Sequence, residues 1–172
     1  GRTTASLSAE VRPQVGGIIQ KRLFTEGDMV KAGQALYQID PSSYRATWNE
    51  AAAALKQAQA LVVSDCQKAQ RYASLVRDNG VSRQDADDAA STCAQDKASV
   101  ESKKAALESA RINLNWTTVT APIAGRIGIS SVTPGALVSA DQDTALATIR
   151  GLDTMYVDLT RSSVDLLRLR KQ

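Results

Sequence analysis

The spacing of hydrophobic and polar positions changes twice along the chain. From about Val11 to Asp40, short apolar runs (Ile18-Ile19, Met29-Val30 and Ala35-Leu36-Tyr37-Gln38-Ile39) are separated by Gly16-Gly17, Glu26-Gly27-Asp28 and Lys31-Ala32-Gly33. Runs of that length between glycine turns predict short β-strands. Asp40-Pro41-Ser42 closes the section, and Ser42 or Ser43 suits a helix N-cap. Between residues 42 and 115 there is no proline, the single glycine is Gly80, and Ala, Gln and charged residues dominate. The stretch predicts two helices broken at Asn79-Gly80, with Gly80 as the left-handed terminator and Ser82 as the next cap. Each would hold about 35 residues and reach roughly 50 Å at 1.5 Å per residue.

Helices that long and thin need a partner to bury a stripe against. On the first, Ala52, Gln59, Cys66 and Ala73 recur every seventh position, interleaved with Leu55, Val62, Ala69 and Val76; on the second, Ala86, Cys93, Val100, Leu107 and Leu114 do the same. A fold at Asn79-Gly80 sets Ala73 opposite Ala86, Cys66 opposite Cys93, Gln59 opposite Val100 and Ala52 opposite Leu107. One fold point satisfies the whole stripe, which predicts an antiparallel coiled-coil hairpin.

Beyond the helices, Thr117 to Arg150 returns to short strands and repeats the first β segment. Pro13-Gln14-Val15-Gly16-Gly17-Ile18 matches Pro122-Ile123-Ala124-Gly125-Arg126-Ile127. Glu26-Gly27 before Val30 matches Pro134-Gly135 before Val138, and Ala35-Leu36-Tyr37-Gln38-Ile39 matches Ala145-Leu146-Ala147-Thr148-Ile149. Two similar halves around an insertion predict that the halves pair with each other and hold the two helix ends side by side. The expected fold class is therefore α+β, a β-sandwich split by a long antiparallel helical hairpin.

Composition narrows the function. The net charge is +3, with 43% hydrophobic but only 4% aromatic residues among 172. Lys and Arg are scattered among acids, which argues against nucleic acid as a partner. There is no histidine and only two cysteines, which removes His-based nucleophilic pairs, His-ligated zinc and a Cys-only zinc site within one chain. The reading is a non-enzymatic protein with no cofactor and no metal. No apolar run is long enough to cross a membrane. Gly1-Arg2-Thr3-Thr4 and the run Met155-Tyr156-Val157-Asp158-Leu159 read as the interior of a longer protein, with the latter expected to pair with the N-terminal stretch.

The β halves, with Glu26-Gly27-Asp28-Met29-Val30-Lys31-Ala32-Gly33 before the last strand of the first half, resemble biotinyl/lipoyl carrier domains. Those carriers bear their prosthetic group on a lysine in the turn between halves; here the hairpin replaces that turn, so a carrier is only a remote alternative. The complete pattern resembles the periplasmic adaptor (membrane fusion) proteins of RND-type tripartite efflux pumps. The matching stretches are Ala9-Glu10-Val11-Arg12-Pro13-Gln14-Val15, Leu36-Tyr37-Gln38-Ile39-Asp40-Pro41, Ala110-Arg111-Ile112-Asn113-Leu114, Ala121-Pro122-Ile123-Ala124-Gly125-Arg126-Ile127-Gly128 and Tyr156-Val157-Asp158.

The resemblance implies an entering barrel strand at 1–8, a lipoyl-like first half at 9–41, the hairpin at 42–115 and the second half at 116–150. Residues 151–172 would start a truncated β-barrel domain. It also implies a periplasmic protein attached to the inner membrane through an anchor outside this chain. Its partners would be an inner-membrane RND transporter, a TolC-like outer-membrane channel and further copies of itself forming a tube. An adaptor for an ABC-type exporter or a protein-secretion system is the alternative. The family's channel-binding signature at the hairpin tip maps onto Arg71, Leu75 and Ser82. Read without the resemblance, these are a solvated charge, a seam residue and a helix cap. Periplasm is oxidising, so Cys66 and Cys93, facing in an alanine-rich seam, are expected to form a disulfide; the alternative is a pair of small buried thiols.

Overall fold

A computed structural model describes residues 2–140 and 142–158. The chain divides into two compact units, the β segments on either side of the helices and the helical segment Pro41–Trp116.

In the β unit the first segment supplies β1 (Arg2–Val11), β2 (Gly17–Arg22), β3 (Met29–Val30) and β4 (Ala35–Ile39). The second supplies β5 (Thr118–Thr120), β6 (Gly125–Ile127), β7 (Leu137–Val138) and β8 (Ala147–Asp158). They form two four-stranded sheets, ordered β1-β8-β6-β3 and β5-β4-β2-β7. Each sheet thus takes strands from both halves. The exchange is reciprocal: β2 pairs with β7 through Gly17 and Val138, while β6 pairs with β3 through Gly125 and Val30. The core is shared in the same way, by Val11, Ile19, Val30, Leu36, Tyr37 and Ile39 from the first half and Val119, Ile127, Val138, Leu146 and Ile149 from the second. The Tyr37 hydroxyl ties the halves directly, lying 2.7 Å from Ser130 Oγ and donating to the Leu146 carbonyl at 3.0 Å.

The structural repeat differs by one residue from the alignment expected at the start of each half. Gly17 and Gly125 begin equivalent strands, and Ile19 and Ile127 are the equivalent buried residues, whereas Ile18 is exposed. Because strand side chains alternate between faces, a slip of one places the wrong residue in the core. Close approach explains why both positions are glycine. A Cβ on Gly17 would lie 2.6 Å from Ile39 Cγ2, and one on Gly125 would meet the Arg150 carbonyl oxygen.

The expected pairing of the chain's late strand with its N-terminal stretch is present: β1 runs antiparallel to β8, from Arg2 opposite Asp158 to Val11 opposite Ala147. The proposed start of a barrel domain falls largely on residues 159–172, which lie outside the described residues.

The helical unit consists of α1 (Ser42–Arg77, 36 residues) and α2 (Arg83–Trp116, 34 residues). Neither Ser42 nor Ser43 caps α1. Pro41 takes that position, and its carbonyl accepts the first helical hydrogen bond from Arg45 at 2.8 Å. The seam also differs from expectation on one side. Leu55, Val62, Ala69 and Val76 are half-buried as expected, but Gln59 and Ala73 are exposed, and Ala58, Asp65 and Tyr72 turn inward instead. On α2, Ala86, Cys93, Val100, Leu107 and Leu114 are joined at the seam by Ala89, Asp96 and Ala110. Intervals of three and four are kept, so the coiled-coil period survives while one of its two rows shifts by a residue. No helix is long and apolar enough to cross a membrane among the described residues.

Candidate functional site

Sequence reasoning places function at the hairpin tip, and the local chemistry there is a helix stop followed by a capped start. Asp78 ends α1. The Asn79 N–H donates to the Val76 carbonyl at 3.2 Å and the Gly80 N–H to the Leu75 carbonyl at 2.9 Å. This is the paired bonding of a Schellman motif, in which the residue after the cap adopts the left-handed conformation. That residue is Asn79, with φ 54°, and not Gly80 as expected. Asparagine is the non-glycine residue that best tolerates this region. Arg77 in the last turn of α1 and Asp85 in the first turn of α2 complement the helix dipoles.

The three candidate docking residues have different local duties. Ser82 caps α2: its Oγ accepts the Asp85 N–H at 3.1 Å and donates to the Asp85 carboxylate at 2.6 Å. The first bond is that of an N-cap to the third helical N–H, and the second runs between the two side chains and holds the Ser82 hydroxyl in place. Leu75 is 40% exposed and its Cδ2 lies 3.4 Å from where a Gly80 Cβ would sit, so it half-covers the turn. Arg71 is exposed, and its guanidinium makes no hydrogen bond or ion pair among the described residues. The spacing of four puts Arg71 and Leu75 on one face of α1. Of the three, Arg71 has no role in holding the tip together.

Below the tip, Cys66 and Cys93 are joined by a disulfide with Cα atoms 4.8 Å apart and a sequence separation of 27 residues. A closed loop of this size stabilises the folded hairpin by about 3–4 kcal/mol in the chain-entropy account. We expect no reactive thiol in denatured, unreduced protein and two after reduction. Two thiols before reduction would mean that the hairpin works uncrosslinked.

Sequence reasoning missed the polar lining of the seam. Asp65, Lys68, Tyr72, Asp85, Asp88, Ala89 and Thr92 line a groove of about 200 Å³ beside the disulfide, with the Lys68 ammonium 5.4 Å from the Tyr72 ring centroid. Asp65 and Asp96 occupy inward positions. A seam drawn through Ala58, Asp65 and Tyr72 would have found the first of them.

Two interlocked sheets are interrupted in sequence, between β4 and β5, by a helical hairpin. Residues 7–150 match the family described as RND MFP, barrel-sandwich hybrid domain. The chain belongs to that family. Within it, the chain is 51% identical over all of its residues to the multidrug efflux pump subunit AcrA of Escherichia coli (strain K12), of which it covers 43%. It is 52% identical, again over its whole length, to the multidrug resistance protein MexA of Pseudomonas aeruginosa, covering 41%. The chain therefore spans less than half the length of these curated relatives. Among solved structures it resembles a MacA-MexA chimeric protein containing the Pseudomonas aeruginosa MexA α-hairpin domain. The TM-score is 0.53 with 35% identity, covering 89% of this chain and 51% of that one.

Proposed function

We propose that this chain is the hairpin-bearing part of a periplasmic adaptor that links an inner-membrane RND drug transporter to a TolC-like outer-membrane channel. The observation that carries the reading is identity of 51–52% over the entire chain, hairpin included, to AcrA and MexA, named for multidrug efflux and multidrug resistance. The adaptor catalyses nothing. It aligns two membrane proteins, and the transporter supplies the energy. It works in the periplasm, held to the inner membrane, and several copies associate so that their hairpins line a tube.

In this reading the tip meets the channel. Arg71 presents five donors in a planar fork suited to carboxylates or backbone carbonyls, and Leu75 supplies an apolar contact one turn away. Ser82 acts first through the cap it forms, and its contact with the channel is secondary. A photoreactive side chain placed at Leu75 of the full-length protein is expected to crosslink to the outer-membrane channel in cells, and the same group at Arg45, near the hairpin base, is not. Equal crosslinking from both positions, or none from Leu75, would refute docking through the tip.

A further inference from the structure

At the hairpin tip, the residue whose backbone calls for glycine and the residue that is glycine are different ones. Asn79 carries the positive φ of 54°, at the place where glycine ordinarily ends a helix. Gly80 has no positive φ, and a Cβ on it would make only ordinary contacts, 3.4 Å from Leu75 Cδ2 and 3.5 Å from the Leu75 carbonyl oxygen. The turn would therefore accept alanine at 80 and be better served by glycine at 79. What glycine at 80 does provide is an uncrowded backbone nitrogen directly after an asparagine. Both residues are exposed, and the Asn79 side-chain amide has no hydrogen bond among the described residues.

The chain's other asparagines lack this setting. Asn49, Asn113 and Asn115 lie within α1 or α2 and precede Glu50, Leu114 and Trp116, whose side chains crowd the following nitrogen. The Gly80 N–H does donate to the Leu75 carbonyl at 2.9 Å, but this bond and that from Asn79 to Val76 are the last of α1. Bonds at a helix end open locally, without disturbing those behind them. Each opening frees the Gly80 nitrogen to close a five-membered ring with the Asn79 Cγ atom.

We propose that Asn79 is a modification site, at which the tip converts its own turn asparagine by spontaneous deamidation. The Gly80 nitrogen gives up its proton to solvent and attacks Asn79 Cγ. A new N–C bond forms, the Cγ–Nδ2 bond breaks, and the side-chain nitrogen takes up a proton and leaves as ammonia. Water then adds to either carbonyl of the succinimide ring and opens it to an aspartyl or a β-aspartyl residue. The two products differ in consequence. Aspartyl tolerates the left-handed region and keeps the turn, while adding a negative charge at the negative end of the α1 dipole. In the β-aspartyl form the main chain runs through the former side chain and is longer by one carbon. The paired bonds to Val76 and Leu75 then cannot both be kept. The change is one-way, so the tip of an old molecule differs from that of a new one, whether or not the tip docks a channel.

The test is incubation of the purified full-length protein in mildly alkaline buffer made with heavy-oxygen water, followed by peptide mass spectrometry. Heavy oxygen taken up at a former amide marks conversion during the incubation. In the unmutated protein, residue 79 is expected to convert an order of magnitude faster than Asn49, Asn113 or Asn115, and to yield both aspartyl and β-aspartyl peptides. Gly80→Ala, which the turn accommodates, is expected to keep the native helical circular-dichroism signal and lose most of the conversion. Conversion at residue 79 no faster than at the other three asparagines overturns the proposal without recourse to any variant. An aspartyl product free of the β-aspartyl form, or a Gly80→Ala protein that converts as fast as the native one, would overturn attack by the Gly80 nitrogen.

Discussion

Replacing Arg71 and Leu75 together by alanine in the full-length protein is expected to abolish drug resistance and channel crosslinking at normal expression and with helicity unchanged. Arg71 is exposed and its guanidinium is unengaged within the described residues, so its removal leaves no orphaned partner inside the hairpin. Surface substitutions of this kind cost a stable helix about 0.5 kcal/mol or less. Truncating a buried charged contact across an interface costs about 2–5 kcal/mol, which weakens binding by roughly 30-fold or more. The two readouts are therefore well separated. Arg71→Lys should restore only part of the activity, because an ammonium cannot reproduce the planar fork. Ser82→Ala is a poorer probe: it removes the cap that binds the Asp85 N–H, at about 0.5–2 kcal/mol of helix stability, and mixes folding with docking. Arg45→Ala serves as the control near the hairpin base. Resistance and crosslinking at native levels in the double variant would remove the tip from the mechanism.

The second large effect concerns folding. A fragment ending at Asn79 contains the whole first half of the β unit and is expected to be unfolded or insoluble. It keeps β2 beside β4, but β1 loses β8, its one sheet neighbour, and β3 loses β6. Val11, Val15, Ile19, Val30, Leu36, Tyr37 and Ile39, all buried in the intact unit, lose their cover from the other half. At roughly 1.5–3 kcal/mol for each large apolar side chain, even part of that loss is comparable with the whole net stability of an ordinary domain, about 5–15 kcal/mol. Deleting Gln57 to Lys103 and joining the shortened helices should, by contrast, leave a folded β unit, since every strand keeps its neighbours. A cooperative thermal transition in the Gly1 to Asn79 fragment would contradict the interlocked arrangement.

The hairpin was legible because a seven-residue period that closes on a single fold point constrains both helices at once. The row carrying Ala52, Gln59 and Ala73 was not. Alanine at 51 to 54, 58 and 60 makes neighbouring stripes nearly equal in hydrophobicity, and only packing selects Ala58, Asp65 and Tyr72. The stop at Asn79-Gly80 was readable, but two adjacent residues that both tolerate positive φ leave the choice to the hydrogen bonds made by Val76 and Leu75. The β repeat was readable from its glycines and buried Val and Leu, yet Gly16-Gly17 offers two alignments to the single Gly125, and the close contact with Ile39 selects one. At the tip, Arg71, Leu75 and Ser82 were named as docking candidates through the resemblance to the family's signature and not from the residues alone. The resemblance did not reveal that Ser82 is already committed to Asp85. The inward placement of Asp65 and Asp96 escaped notice because Asp on a helix ordinarily signals solvent.

The chain leaves the β unit after β4 and re-enters it at β5, and these two strands are direct neighbours, with Gln38 opposite Thr118. To the sheet, the whole of Pro41–Trp116 is therefore nothing more than the loop of a β-hairpin. Its length is a free variable. Adding or removing seven residues in each helix preserves the seam and changes the reach by about 10 Å, at 1.5 Å per residue, without disturbing a strand. The hairpin behaves as a telescoping gauge: the distance it spans can be reset in fixed increments while the part that holds it stays the same.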